Sequence, residues 1–148
     1  MYKHILIPTD GSPTARKAVE AAIDYARETG ARITFFTAMP EYQLPAASEV
    51  MARKPVLTME EHEQHSAEKA RAVLAPALER ARSCGVEFDS DHALSDKPSE
   101  AIIAAARRHR CDAIFMATHG RNALSRLLHG SQTIAVLTHS DIPTLVLR

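Results

Sequence analysis

Short apolar runs alternate with longer stretches of helical period along the chain, and this alternation limits the fold more than any single motif. Ile5-Leu6-Ile7-Pro8 is short, apolar and β-branched. It reads as a buried first strand from about His4 to Pro8. Gly11 then permits a sharp turn, Ser12 suits a helix cap and Pro13 its first position. Ala15, Ala18, Val19, Ala22, Ile23 and Ala26 form one apolar stripe, and Gly30 suits the closing cap. Ile33–Ala38 is the second strand.

The pattern lapses from Pro40 to Pro55, which reads as a long surface loop with a helical turn over Ala46–Arg53. Helical period returns from Thr58. Ala67, Ala70, Leu74, Ala77 and Ala81 line one face and Leu78 widens it. Pro76 predicts a kink or local break there. Cys84-Gly85 ends the helix. A third strand starts at Val86-Glu87-Phe88-Asp89, whose alternation places it at an edge. A helix from Pro98 to Arg108 turns Ile102, Ile103 and Ala106 inward. Ala113–Ala117 is strand four, Gln132–His139 a helix carrying Ile134, Ala135 and Leu137, and Thr144–Leu147 strand five.

Strand-helix alternation of this kind implies a parallel sheet covered on both faces, with right-handed crossovers. Ligands in such sheets bind beyond the carboxyl ends of the strands, where the strand order reverses. Asp10-Gly11 and Thr118-His119-Gly120 both follow carboxyl ends. With strands one and four as neighbours, the two loops face each other across one crevice. The second loop runs on through Arg121 and Arg126 to Gly130-Ser131, so two glycines bracket a cationic segment between a strand and a helix. Glycines that admit close backbone approach, together with a helix start, make an anion cradle.

The length of 148 residues favours one domain with a real core. Eighteen basic and eighteen acidic side chains cancel, which argues against nucleic-acid or membrane binding through bulk charge. Cys84 and Cys111 stand far apart outside any CxxC pattern, as in a reduced cytosolic setting, and read as small core hydrophobes. No apolar run has the length of a membrane span, and the first strand leaves no room for a signal peptide. His62 and His65 share a helical spacing without the further ligands a zinc site needs. Arg107-Arg108-His109-Arg110 complements a helix C-terminus and lacks the aromatic residues of a nucleic-acid surface. Asp10 serves equally as a turn residue or a ligand; the facing loop favours the ligand role. His119 reads as a local packing or hydrogen-bonding residue rather than a general base.

The segments HILIPTDGS, FMATHG with Gly130-Ser131 nine residues on, and VLTHSDIPTLVLR resemble the universal stress protein family over essentially the whole chain. In nucleotide-binding members the loop reads Gly-x-x-Gly, nine residues, then Gly with Ser or Thr. Here Gly120, Gly130 and Ser131 match, while Ala117 replaces the first glycine. The added methyl sits at a point of close approach.

The resemblance implies an α/β fold, a single doubly wound domain (1–148) with a five-stranded parallel sheet in order 3-2-1-4-5 and helices on both faces. It implies an adenine nucleotide, ATP or a relative, with Mg²⁺ accompanying it. Pro8 and Thr9 would line the adenine side, Ala38 offer backbone groups to the adenine edge, and Asp10 accept from the ribose. Met116 and Ala117 would contact base and ribose. Gly120, Gly130, Ser131 and Gln132 would hold phosphates through backbone N–H groups. From their charge alone, Arg121 and Arg126 read as solvated side chains or, for Arg121, as a partner of a terminal phosphate. The resemblance also implies a cytoplasmic homodimer paired through Thr144–Leu147, where a bare apolar edge is otherwise a liability.

Three readings follow: a regulatory nucleotide-binding stress protein, a dimeric interaction module whose pocket Ala117 has closed, or a slow ATPase. The last lacks a Walker loop ending in Gly-Lys-Ser/Thr, so hydrolysis is expected to be weak at most.

Overall fold

The computed structural model describes residues 1–118 and 129–147. Its strands are β1 (His4–Pro8), β2 (Arg32–Met39), β3 (Phe88–Leu94), β4 (Ala113–Ala117) and β5 (Thr144–Leu147). All pair in parallel, in the order β3-β2-β1-β4-β5. The helices are α1 (Pro13–Thr29), α2 (Ala47–Met51), α3 (Met59–Ser83), α4 (Pro98–Arg108) and α5 (His129–His139).

The pleat sorts the core into two layers. Ile5, Ile7, Ile33, Phe35 and Phe115 point to one face, where α1 and α3 supply Val19, Ile23, Leu74 and Ala81. Leu6, Phe36, Ile114 and Met116 point to the other, against Ile102, Ile103 and Ala106 of α4 and Val136 of α5. A side-chain period of two delivers alternate residues of one strand to opposite layers. Strands buried on both faces therefore read as continuous apolar runs.

Local signals fix most boundaries. The Ser12 side chain accepts from the Ala15 N–H at 3.2 Å, and Pro13 occupies the first turn of α1. Gly30 ends that helix in the left-handed region at φ 72°, donating its N–H to the Ala26 carbonyl at 2.8 Å. Thr58 and Glu61 form a reciprocal capping box at the start of α3.

Several expectations need correction. α3 runs unbroken through Pro76, and its buried stripe is Ser66, Ala70, Leu74, Ala77 and Ala81, so Ser66 takes the place expected of Ala67. Packing against α1 and β2 sets that phase and holds the helix together across the missing N–H. Val86 belongs to the helix exit rather than to β3: it donates to the Ala81 carbonyl at 3.1 Å, and β3 starts at Phe88, at the expected sheet edge. In the long loop the helical turn is confined to Ala47–Met51.

α5 begins at His129 and buries Thr133 and Val136, whereas Ile134 and Leu137 are 65% and 50% exposed. Ile134 and Leu137 therefore face outward, and Leu145 of β5 is exposed as well. Cys111 is buried and Cys84 half-buried; both are free. Among the described residues no helix is long and apolar enough to cross a membrane.

Candidate functional site

The strand order reverses at β1. The chain steps from β1 to β2 and β3 on one side, then returns to place β4 and β5 on the other. A cleft of about 370 Å³ opens beyond the carboxyl ends of β1 and β4. The floor is Phe36, fully buried, with Met116 beside it. Pro98 and Ile102 form a wall from one side of α4, as their i, i+4 spacing dictates. Thr9, Asp10 and Ser12 form the rim from the β1–α1 turn.

Backbone hydrogen bonds set the chemistry of the β2 side. Thr9 donates its N–H to the Phe36 carbonyl at 2.8 Å, and Ser95 donates to the Met39 carbonyl at 2.7 Å. Peptide groups of a parallel strand alternate sides, so Phe36 and Ala38 turn toward β1 while Thr37 and Met39 turn toward β3. The last β1–β2 pair is Pro8↔Phe36. Ala38 thus directs an N–H and a carbonyl into the space where β1 has turned away, beside the cleft it lines. That donor-acceptor pair suits the edge of a heteroaromatic base.

The β1–α1 turn holds Asp10 in place. One Asp10 carboxylate oxygen accepts from the Ser12 N–H at 2.9 Å, and Gly11 bonds the Thr9 hydroxyl at 3.2 Å. Gly11 sits at φ 77°, a left-handed conformation that favours glycine. Across the mouth, the Asp96 carboxylate accepts from the Glu41 N–H at 3.0 Å. This bond ties the exit of β2 to the β3–α4 turn.

Of the residues singled out from sequence, Pro8, Thr9, Asp10, Ala38, Met116, Ala117 and Gln132 line the one cleft. Gly130 and Ser131 fall in the first turn of α5, with Ser131 exposed. His119, Gly120, Arg121 and Arg126 lie outside the described residues. Sequence reading missed Asp96, Pro98, Ile102, Thr37 and Thr133. The Pro98/Ile102 spacing was available as a signal. Asp96 gave none, because only the course of the β3–α4 turn brings it to the mouth. Among the described residues no cluster of three metal-ligating side chains occurs; His62 instead bonds the Pro40 carbonyl at 2.9 Å.

A family model described as the universal stress protein family matches residues 1–148. The chain belongs to the universal stress protein family. Among similar members is the universal stress protein in the QAH/OAS sulfhydrylase 3′ region of Thermus aquaticus. It is 34% identical over 152 residues, covering 100% of both chains. A universal stress protein family structure from Burkholderia pseudomallei has TM-score 0.75 at 24% identity, covering 99% of this chain and 96% of that one.

Two further structures of universal stress proteins were solved with nucleotides. One, from Archaeoglobus fulgidus, is in complex with dAMP, with TM-score 0.68, 17% identity and 99% and 98% coverage. The other is in complex with cAMP, with TM-score 0.66, 21% identity and 99% and 97% coverage. These likenesses establish the universal stress protein fold.

Proposed function

We propose that the β1/β4 cleft binds an adenine nucleotide, ATP or a relative of it, as a regulatory ligand of a cytosolic stress-response protein. The observation that carries the reading is the pairing, in one cleft, of the Ala38 peptide groups with the Asp10 carboxylate over an apolar floor. A purine is flat, apolar on its faces and polar at its edge; a ribose offers hydroxyl donors. Ala38 would meet the base edge, Pro8, Thr9 and Met116 its surroundings, and Asp10 the ribose hydroxyls. The first turn of α5, with Gly130 and Ser131, would receive phosphate at its N–H groups, joined by Gly120 and Arg121, with Mg²⁺ on the phosphates. Relatives of this fold solved with dAMP and cAMP support this choice of ligand.

Titration calorimetry with AMP and ATP tests the reading. Saturable binding at one site per chain is expected; no saturation at millimolar nucleotide would overturn it.

One observation favours a second reading, in which the protein acts only through protein contacts. Ala117 lines the cleft and carries a methyl where the loop pattern given by the resemblance has glycine. If that methyl closes the site, Ala117→Gly creates nucleotide affinity from none. If the first reading holds, the wild type already binds.

A further inference from the structure

The start of α4 has no cap of its own. Lys97 at its N-cap makes no side-chain bond to the first turn. The acceptor comes instead from 33 positions along the chain: the Gln132 side-chain oxygen takes the Ser99 N–H at 2.9 Å, in a partly buried setting. Gln132 stands on α5 and lines the nucleotide cleft.

A backbone N–H can only donate, so the amide oxygen must face Ser99. Its orientation is thereby decided, and the remaining polar group is the NH₂, a donor. Among the described residues lining the cleft, the other polar side chains are carboxylates and hydroxyls. Among the described lining residues, Gln132 alone brings a side-chain N–H donor there.

We propose that Gln132 is a specificity-determining residue whose amide, locked by Ser99, presents its NH₂ to an acceptor oxygen of a phosphorylated nucleoside in the cleft. The inference rests on the nucleotide reading above and adds a side-chain role to a position expected to act through its backbone. It also gives the α4–α5 bond a purpose beyond capping: the helix N-terminus sets which end of the amide meets the ligand.

Two substitutions separate the parts, with AMP as the probe. Gln132→Glu keeps an acceptor for Ser99 and replaces the donor with an acceptor. Its unfolding midpoint is expected to hold or rise, while AMP affinity falls about tenfold or more. A loss also seen in Gln132→Met, which adds no charge, separates the missing hydrogen bond from repulsion. Gln132→Met removes both groups and is expected to lower the unfolding midpoint and the affinity together.

Wild-type AMP affinity in Gln132→Glu or in Gln132→Met would overturn the donor role while leaving the nucleotide reading intact. Failure of the wild type itself to bind AMP would overturn both.

Discussion

His4 shows how one side chain ties stability to pH. Its ring bonds the Thr34 hydroxyl at 2.8 Å on the α4 face of the sheet. Burial holds its pKa below the ordinary 6.5, helped by the nearby charges of Arg32 and His109 and opposed by Asp112 and Asp89. A histidine depressed in the folded state supplies stability that is present above its unfolded pKa and lost as pH falls. The loss starts near pH 6.5.

Nearby, burial would push Asp91 up. Bonds from Arg108 and from His109, the latter at 2.7 Å, overcome that and leave it below the usual carboxylate range. Its contribution fades only in stronger acid. We therefore expect wild-type urea midpoints to drop between pH 7 and pH 5, and His4→Gln to drop by less. Equal drops would remove His4 from the account. Cys111, pushed up to about 12 mainly by burial, takes no part in this range and is expected to resist thiol reagents in the native protein.

At the scale of elements, α4 ends in strain that a single substitution should relieve. Arg110 follows the helix at φ 55°, donating its N–H to the Arg107 carbonyl at 3.0 Å, while Cys111 donates to Ala106 at 2.8 Å. This is a Schellman closure, whose left-handed position normally carries glycine. A side chain there costs about 1 kcal/mol. Arg110→Gly should stabilise the protein by roughly that amount in chemical denaturation, with AMP affinity unchanged, because the residue is exposed and lies at the opposite end of α4 from the cleft.

The cap of α1 was legible from the chain because it is local: Ser12 reaches only three residues ahead. The Thr58–Glu61 box of α3 is equally local but was not read. The cap of α4 was not legible, because Gln132 lies 33 residues from Ser99. The phase of α5 escaped for a related reason. Its apolar residues lie on both sides of the helix, and packing against α4 and the sheet decides that Val136 is inside and Ile134 outside.

At the scale of the whole molecule, α5 and β5 leave Ile134, Leu137 and Leu145 uncovered at one border of the sheet. Among the described residues β5 has a strand neighbour on one side only, β4. An apolar strand with a free backbone edge invites pairing with a second copy. We propose a homodimer formed there through Thr144–Leu147. Leu145→Lys places a charge on that border and should shift sedimentation from dimer to monomer; a wild type that sediments as a monomer would refute the pairing. β5 also reaches the cleft region, since Thr118 donates to the Leu147 carbonyl at 2.8 Å. Disturbing the border is therefore expected to weaken AMP binding modestly as well.

The amino-acid sequence alone determined the alternation of elements, the buried strands and the turn after β1. Each depends on residues within a few positions of one another: a period of two or 3.6, a cap three residues ahead, a turn at Gly11. Tertiary structure alone decided what depends on distant segments meeting. It brought Asp96 to the mouth of the cleft, turned the Ala38 peptide toward the gap beyond Pro8 and set Gln132 against Ser99. Those contacts follow from the return of the chain across β1, and no local pattern encodes where two distant loops will meet.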